Sequence, residues 1–432
     1  MLRKIIICFI ISTILFSLFS FPISAFEIDE SAASVEAYYI FDKKSGTDIA
    51  QKNLDKSISP SSTVKIMTAC VVLDSSINFN QEITITDQMV KNASGRTMEL
   101  VAGDKLTVCD LLYATLCGGY NDATIALALS VSPSLSEFVN LMNEKATSLG
   151  MNSTYYTDVT GIDSISAKTT VRDISKLAKH MAKNENYIEI CSTKNYPLSD
   201  ISTCKYTNIK NRSNLIGEYK GLANFNLGSG ENGQCAITYY KTENSTLISI
   251  VMNALANDEK DKENYAEAYT KTLFSYVINN YSVVTVKTTK EIITSLPVKY
   301  SMSGLEIDLY LAEDVKIFLP KNTNLQTDLT YTVHIHGDEV KAPIKAGEEV
   351  GVLTITQNGI LLSSTPIIAT TNVQRNAFLY TLENMKNYVT GRSFIITLIT
   401  FILLIVIYYN VSKRKFRKKK YPKRNKSKII KK

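Results

Sequence analysis

Residues 59–69 read Ser-Pro-Ser-Ser-Thr-Val-Lys-Ile-Met-Thr-Ala, and they predict a buried helix whose first turn opens onto a cleft. Pro60 stands just before this helix, and the run 66–73 that follows Lys65 is almost entirely apolar. Ser62 and Lys65 are three positions apart, so on a helix they lie on the same face, one turn apart.

This pair can act as a nucleophile and a base without a histidine. A lysine ammonium that is partly desolvated titrates low enough to accept the proton of a neighbouring serine. The alternative is a serine helix cap followed by a solvated lysine. The same spacing recurs at Ser202–Lys205 and Ser412–Lys415, but neither of these pairs precedes a buried apolar run.

Both ends of the chain carry apolar segments. Residues 1–25 have the pattern of a signal peptide, with Arg3 and Lys4, an apolar run 5–21, and Ala25 before the cleavage site; an uncleaved anchor is the alternative. Residues 393–411 are mostly apolar and long enough to span a bilayer core. We therefore expect an exported body held at the membrane by a single C-terminal helix.

The basic charge of the chain is concentrated after this span. Residues 412–432 contain thirteen Lys or Arg and no acidic residue; since the whole chain is +7 and residues 1–25 are +2, residues 26–411 carry −8. A basic block beside a span is typical of a cytoplasmic stop signal, which predicts a cytoplasmic tail and an external body. Only Phe416 and Tyr421 could stack on bases, so we expect no nucleic-acid partner.

The exported body divides into two parts by its pattern. Residues 26–280 begin with a strand and turn at 35–46, continue through helical segments to about residue 195, return to strands at 235–252 and end in a helix at 265–279. This order predicts an α+β domain. Residues 281–371 predict a small all-β domain, and residues 372–392 predict a helical stalk before the span.

The sequence predicts neither a cofactor nor a metal site. The chain has three histidines, of which His334 and His336 lie in a strand-like run, and no Cys-x-x-Cys spacing occurs. Six cysteines remain outside the leader. We expect mostly buried free thiols, with three disulfide bonds as the alternative.

Further segments resemble the low-molecular-weight penicillin-binding proteins, the exported serine-type D-alanyl-D-alanine carboxypeptidases that trim peptidoglycan stem peptides. The resemblance is carried by residues 37–46, 60–69, 100–114, 121–123, 138–146, 149–151 and 169–177, and by 342–347 in the β-rich part. It covers nearly the whole exported region. It implies a β-lactamase-like domain, with a sheet and a helical cluster, followed by a small all-β domain.

The resemblance also implies roles for three residues. Ser62 is the nucleophile, Lys65 is the general base, and Asn121 orients Lys65 and the substrate amide. The family's middle motif is Ser-Gly-Asn, whereas this chain has Gly119-Tyr120-Asn121. The hydroxyl expected to relay a proton is therefore missing, and Tyr120 or a water molecule is the candidate replacement.

The third motif of the family, Lys-Thr-Gly, is matched by Asn226-Leu227-Gly228-Ser229 with one residue deleted. The resemblance implies that this strand binds substrate through Asn226, Gly228 and Ser229. Together with the backbone near Ser62, it is expected to form the oxyanion hole. Asn226 replaces the lysine that would meet the substrate's terminal carboxylate, and the nearest upstream cations are Lys220 and Arg212.

Two functions remain open on the sequence. The first is a membrane-anchored carboxypeptidase that acts on D-Ala-D-Ala stem peptides facing the cell wall and reacts covalently with β-lactams. The second is a degenerate homologue that binds wall peptides, β-lactams or a partner protein without efficient turnover. Loss of a charge-assisted hydrogen bond costs about 1.5–3 kcal/mol, and loss of a proton relay costs about 100- to 10,000-fold in rate, so weak activity is expected.

Overall fold

The computed structural model describes residues 33–420, except 92, 163–164, 231, 244, 257–263, 302–304 and 338. The predicted signal peptide and the end of the basic tail lie outside the described residues. The chain forms two compact units. One comprises the chain up to Val284 together with Lys316–Leu325, and the other comprises Thr285–Val315 together with the chain from Gln326 onward.

The first unit is built on a five-stranded antiparallel sheet in the order β2-β1-β9-β8-β7. Its strands are β1 (Ala33–Asp42), β2 (Asp48–Lys52), β7 (Leu222–Gly230), β8 (Gly233–Lys241) and β9 (Thr246–Ala256). Two short hairpins pair β3 (Glu82–Thr84) with β4 (Lys105–Thr107) and β5 (Asn195–Pro197) with β6 (Asn208–Lys210). The first and last parts of the α+β domain thus meet in one sheet, as the sequence predicted.

Helices cover both faces of this sheet. The helical cluster on one face comprises α1 (Val64–Asp74), α2 (Asp87–Val90), α3 (Val108–Tyr113), α4 (Asn121–Leu129), α5 (Leu135–Ser148), α6 (Val171–Met181) and α7 (Glu185–Ser192). The other face packs against α8 (Tyr265–Asn280). Alternation along β1 serves both faces, because Tyr39 and Phe41 join the core of the helical cluster while Tyr38 and Ile40 join that of α8.

Local sequence explains where several helices begin. Thr107 and Asp110 form a reciprocal capping box at the start of α3, and Ser134 and Thr170 cap α5 and α6 by accepting hydrogen bonds from backbone N–H groups. Helix α1 lacks a polar face because nearly all of it is buried. It is the central helix of the cluster.

Residues 106–129 carry apolar residues at helical spacing, but the structure interrupts this pattern. After α3 the chain forms a π-helical segment, Ala114–Gly118, and Gly119 adopts a left-handed conformation (φ 71°) before α4 begins. A continuous helix is excluded because a left-handed residue cannot extend the right-handed hydrogen-bond ladder. This break places the second motif, residues 119–121, at the end of one helical segment and the start of the next.

The second unit is predominantly β. Its five-stranded antiparallel sheet has the order β11-β12-β16-β15-β14, with strands β11 (Thr294–Pro297), β12 (Glu306–Leu311), β14 (Thr330–Ile335), β15 (Glu349–Gln357) and β16 (Ile360–Ala369). Strand β10 (Tyr281–Lys287) runs from the first unit into the second, and it forms a separate two-stranded sheet with β13 (Val315–Pro320), nearly all of which belongs to the first unit. The predicted all-β part is confirmed.

Two helices end the described chain, α9 (Ala377–Thr390) and α10 (Arg392–Lys420). Among the described residues, one helix is long and apolar enough to cross a membrane, over Arg392–Lys413, with a mean hydropathy of 2.5. Its apolar side chains are exposed, as expected of a helix whose solvent is lipid. The predicted fold class, an α+β domain followed by an all-β domain and a C-terminal apolar helix, is confirmed.

Candidate active site

The predicted nucleophile lies on a tight turn at the start of α1. Ser62 is the middle residue of a 3-10 turn, Ser61–Thr63, that leads directly into the helix, and it is only 7% exposed. Ser61 has a positive φ of 48°, an uncommon conformation for a residue other than glycine. This turn directs the Ser62 side chain toward β7, and the N–H groups of a helix start are available to an oxyanion.

Lys65 lies one turn further along α1 and is buried. Its Nζ donates a hydrogen bond to the carbonyl oxygen of Thr160 at 2.7 Å. Burial lowers the pKa of Lys65 to about 8, since Asp158 opposes this shift only in part and Arg212 adds to it. With this pKa about one tenth of the amine is neutral at pH 7 and about half at pH 8, far more than for an exposed lysine, which suits a general base. No hydrogen bond of the described structure joins Lys65 to Ser62.

The loop beneath Lys65 is held by a carboxylate. Asp158 Oδ1 accepts hydrogen bonds from the backbone N–H of Thr160 at 2.6 Å and from the Thr160 hydroxyl at 2.7 Å. Gly161 follows with φ 83°, and a Cβ there would overlap the carbonyl of Ser61. The loop, the 3-10 turn and Lys65 therefore form one closely packed unit.

The edge strand β7 forms the opposite wall. Gly228 lies so close to the nucleophile that a Cβ there would overlap Ser62 Cβ and Oγ. A Cβ on Gly230 would likewise overlap Ser61 Oγ and Cβ. Asn226 Nδ2 donates a hydrogen bond to Ser62 Oγ at 3.0 Å. A β-bulge between Asn224 and Asn226 precedes this contact, and bulges commonly re-aim side chains beside active sites.

Ser229 lies differently from its neighbours on β7. Gly228 and Gly230 approach the nucleophile, so the alternation of the strand directs the Ser229 side chain to the other face of the sheet. Strand β7 has no neighbour on its outer side within the described sheet. The backbone of Ser229, rather than its hydroxyl, is therefore the part that can serve a substrate strand or an oxyanion.

The second motif contacts Ser94, Arg96 and Tyr206 in the described structure. Asn121 Nδ2 donates to the carbonyl of Ser94 at 2.7 Å, and its buried Oδ1 has no hydrogen-bond partner among the described residues. Tyr120 lies beside Tyr206, with ring centroids 5.8 Å apart, and beneath the Arg96 guanidinium. Within the described contacts, neither Asn121 nor Tyr120 touches Ser62 or Lys65.

Arg212 is the residue whose importance the sequence did not establish. Its Nη1 donates to the carbonyl of Leu227, in the third motif, at 2.7 Å. Its side chain also fills the space beside Gly119, where a Cβ would lie 3.2 Å from Arg212 Cδ and Nη1. Lys220, the other upstream cation, instead lines a groove with Tyr240 and Lys241.

One group of metal-ligand residues lies at the far end of α1. Cys70, Asp74 and His180 place one ligand atom each within 4.8 Å of one another. Lys145, however, forms an ion pair with Asp74 at 2.6 Å, so a cation already neutralises this carboxylate. The six cysteines of the body, Cys70, Cys109, Cys117, Cys191, Cys204 and Cys235, carry free thiols.

Comparison with known proteins agrees with this geometry. A family model described as D-alanyl-D-alanine carboxypeptidase matches residues 25–256, and one described as the C-terminal domain of penicillin-binding protein 5 matches residues 281–375. The chain belongs to the D-alanyl-D-alanine carboxypeptidase family. The first match covers the predicted motif residues, from Ser62 to Ser229, and the second covers most of the all-β region.

Two curated relatives cover most of the chain. D-alanyl-D-alanine carboxypeptidase DacF of Bacillus subtilis is 24% identical over 359 residues, which is 82% of this chain and 90% of the relative. D-alanyl-D-alanine carboxypeptidase DacC of Escherichia coli is 27% identical over 384 residues, with 84% and 90% covered. Both relatives therefore extend beyond the first unit into the second.

Solved structures share the fold. Penicillin-binding protein 5 from Haemophilus influenzae superposes with a TM-score of 0.58 at 22% identity, covering 79% of this chain and 98% of that one. A peptidoglycan synthesis regulatory factor from Streptococcus pneumoniae superposes with a TM-score of 0.63 at 18% identity, covering 79% and 99%. The combination of an α+β domain and an all-β domain is thus common to all three.

Proposed function

We propose that this protein is a membrane-anchored serine D-alanyl-D-alanine carboxypeptidase that removes the terminal D-Ala of peptidoglycan stem peptides through an acyl-enzyme on Ser62. The observation that carries the proposal is the Ser62–Lys65 pair, in which burial lowers the lysine pKa to about 8 beside an unpaired strand edge. Family membership supports the choice of substrate, because the related enzymes are named for this linkage.

In the acylation step, neutral Lys65 removes the proton from Ser62 Oγ, which attacks the carbonyl carbon of the penultimate D-Ala. The backbone N–H groups of Ser62 and Ser229 stabilise the oxyanion. As the intermediate collapses, the C–N bond breaks and the leaving amine of D-Ala takes the proton from Lys65. The product is an ester on Ser62 and free D-Ala.

In the deacylation step, Lys65 is neutral again and removes a proton from a water molecule that attacks the ester. Cleavage of the C–O bond returns the proton to Ser62 and releases the shortened peptide. Asn226 is a positioning donor, because its amide already contacts Ser62 Oγ at 3.0 Å. The unpartnered Oδ1 of Asn121 is an acceptor for the substrate amide N–H.

The test is release of D-Ala from a peptide that ends in D-Ala-D-Ala, using the full chain in detergent. Ser62→Ala is expected to lower this release by about 10⁴-fold or more, because it removes the nucleophile. Ser202→Ala is the matched control, since Ser202 has the same spacing to a lysine but lies outside the cleft. Absence of release above buffer from the unaltered chain would reject the proposal.

Binding without efficient turnover is the second candidate function, and the replacements at Gly119 and Asn226 favour it. A fluorescent penicillin separates the two, because a β-lactam acylates a competent serine whether or not the natural peptide turns over. Labelling at Ser62 together with D-Ala release supports the enzyme. Labelling without release, or no labelling at all, supports the binding protein.

The location that we propose for the body is outside the membrane, facing the cell wall, with the basic tail in the cytoplasm. The proposal rests on the apolar helix Arg392–Lys413 and on the thirteen cations of residues 412–432. Protease added outside intact protoplasts should digest the body and leave a protected C-terminal fragment. Digestion of the tail with protection of the body would reverse the orientation.

A further inference from the structure

Arg212 is a half-buried cation without a described anionic partner. Its backbone is held firmly, because its N–H donates to the carbonyl of Cys117 at 3.1 Å and the neighbouring Asn211 side chain donates to the carbonyls of Cys191 and Thr193. The guanidinium makes one described hydrogen bond, from Nη1 to Leu227 O. In the part of the chain that the structure describes, no carboxylate pairs with it.

The Arg212 side chain lies close against residue 119, where the middle-motif serine is replaced by glycine. Gly119 has no side chain, and a Cβ at this residue would lie 3.2 Å from both Arg212 Cδ and Nη1. Nη1 also lies close to Gly228, because a Cβ added to Gly228 would be 3.6 Å from Nη1. The same added Cβ would overlap Ser62 Cβ and Oγ. The guanidinium therefore fills the gap left at residue 119 and lies beside the nucleophile.

A second guanidinium adds to the positive potential. Arg96 donates from Nε to the carbonyl of Gly118 at 2.7 Å and lies over the Tyr120 ring. Burial, followed by repulsion from Arg96, lowers the pKa of Arg212. Two arginines held near each other without a described carboxylate form a site that an incoming anion stabilises.

We propose that Arg212 binds the terminal carboxylate of the peptide substrate, in place of the lysine that the third motif lacks. This inference rests on the proposed function for the identity of the ligand. Because Nη1 is occupied by Leu227 O, the described contacts leave Nε and Nη2 to form hydrogen bonds with a carboxylate. The scissile carbonyl, which is one residue before the terminal carboxylate along the peptide, then lies beside Ser62 Oγ.

The alternative role for Arg212 is purely structural, tying the loop after β6 to β7. A structural role would affect acidic and neutral ligands alike, whereas a carboxylate site acts only on ligands that carry the charge. The ratio of affinities for the two ligands is therefore the decisive quantity. Any general effect on folding cancels in this ratio.

The experiment measures equilibrium binding to the full chain in detergent carrying Ser62→Ala, so that no turnover is needed. The probes are an N-acylated peptide ending in D-Ala-D-Ala and its C-terminal amide. We expect the free acid to bind about 10- to 150-fold more tightly than the amide, the range of one charge-assisted interaction. Adding Arg212→Gln should remove this preference, and Arg212→Lys should retain part of it.

Lys220→Gln is the matched control, because Lys220 is an upstream cation that lies in a different groove. It should leave the preference for the acid unchanged. A preference that persists in Arg212→Gln, or that is absent from the Ser62→Ala parent, would overturn the inference. If the unaltered chain releases no D-Ala but the free acid still binds more tightly than the amide, only the carboxypeptidase proposal is rejected. If D-Ala is released but the free acid binds no more tightly than the amide, only the Arg212 site is rejected.

Discussion

The helix side of the cleft keeps both residues of the family's first motif, whereas the strand side lacks the third-motif lysine and the facing helical segment lacks the second-motif serine. The turn that carries Ser62 is closely packed, since Gly161 and Gly228 both approach it too closely for a side chain. Arg212 reaches the strand side from a separate loop.

This difference has a physical basis. A nucleophile must be placed to within a fraction of an ångström, so its support is made of backbone contacts that tolerate little change. Recognition of a carboxylate needs a cation within hydrogen-bond reach, and different elements of the fold can supply that cation. The cation that recognises the carboxylate can therefore change more freely than the contacts that place the nucleophile, whichever element supplies them.

The largest expected effect tests the contacts that place the nucleophile. Gly228→Ala would place a methyl group where Ser62 Cβ and Oγ lie, so the nucleophile must move. We expect at least about a 100-fold loss in the rate of β-lactam acylation, as for other displacements of about 1 Å at a reacting group. The measurement is the second-order rate constant for labelling.

Gly46→Ala is the control for this prediction. Gly46 has a positive φ of 74°, but a Cβ there would meet no atom within 4 Å. It should lower stability by about 1 kcal/mol and leave labelling unchanged. Equal loss of labelling in both variants would show that the close approach at Gly228 is unimportant.

The next effect is the pH dependence of acylation. The pKa of Lys65 is lowered to about 8, mainly by burial, and only the neutral amine can accept the serine proton. The rate of labelling should therefore rise about 50-fold between pH 6 and pH 8, and only about twofold further at higher pH, where it levels off.

Lys65→Arg should label slowly at every pH, because a guanidinium stays protonated throughout. The probe for both proteins is a neutral acylating reagent, so that charge recognition by Arg212 does not contribute. A flat profile for the unaltered chain would contradict the role of Lys65 as the base.

The smallest effect tests the coupling between the two changed positions. Gly119→Ser would place a side chain 3.2 Å from Arg212 Cδ at a left-handed residue, where a residue other than glycine costs about 1–2 kcal/mol. We expect about a tenfold loss in kcat/KM for a free-acid peptide, because the guanidinium is displaced.

A double-mutant cycle checks this interpretation. Combined with Arg212→Ala, the serine should have a smaller effect than it has alone, since the two side chains then no longer compete for space. Additive effects would show that residues 119 and 212 act independently. An increase in activity in Gly119→Ser would show instead that the missing hydroxyl limits the reaction.

Several features of the site could not be derived from periodicity. The helix break at Gly119 could not be predicted, because the apolar spacing of residues 106–129 also fits a continuous helix. The bulge before Asn226 changes which side chains of β7 meet Ser62, and a one-residue change in register reverses the face of each side chain. Ser229 illustrates the consequence, because only its backbone lies on the cleft side.

The sequence alone determined the α+β order of the first unit, the all-β second unit and the apolar C-terminal helix, and it predicted Ser62 and Lys65 as nucleophile and base. These follow from local patterns, since burial and helix spacing leave a periodic signal in the chain. Only the tertiary structure decided that Arg212, rather than Lys220, lies beside Gly119 and the third motif. Contacts between a loop and a strand depend on how the intervening elements fold back, and no local pattern of residues encodes that distance.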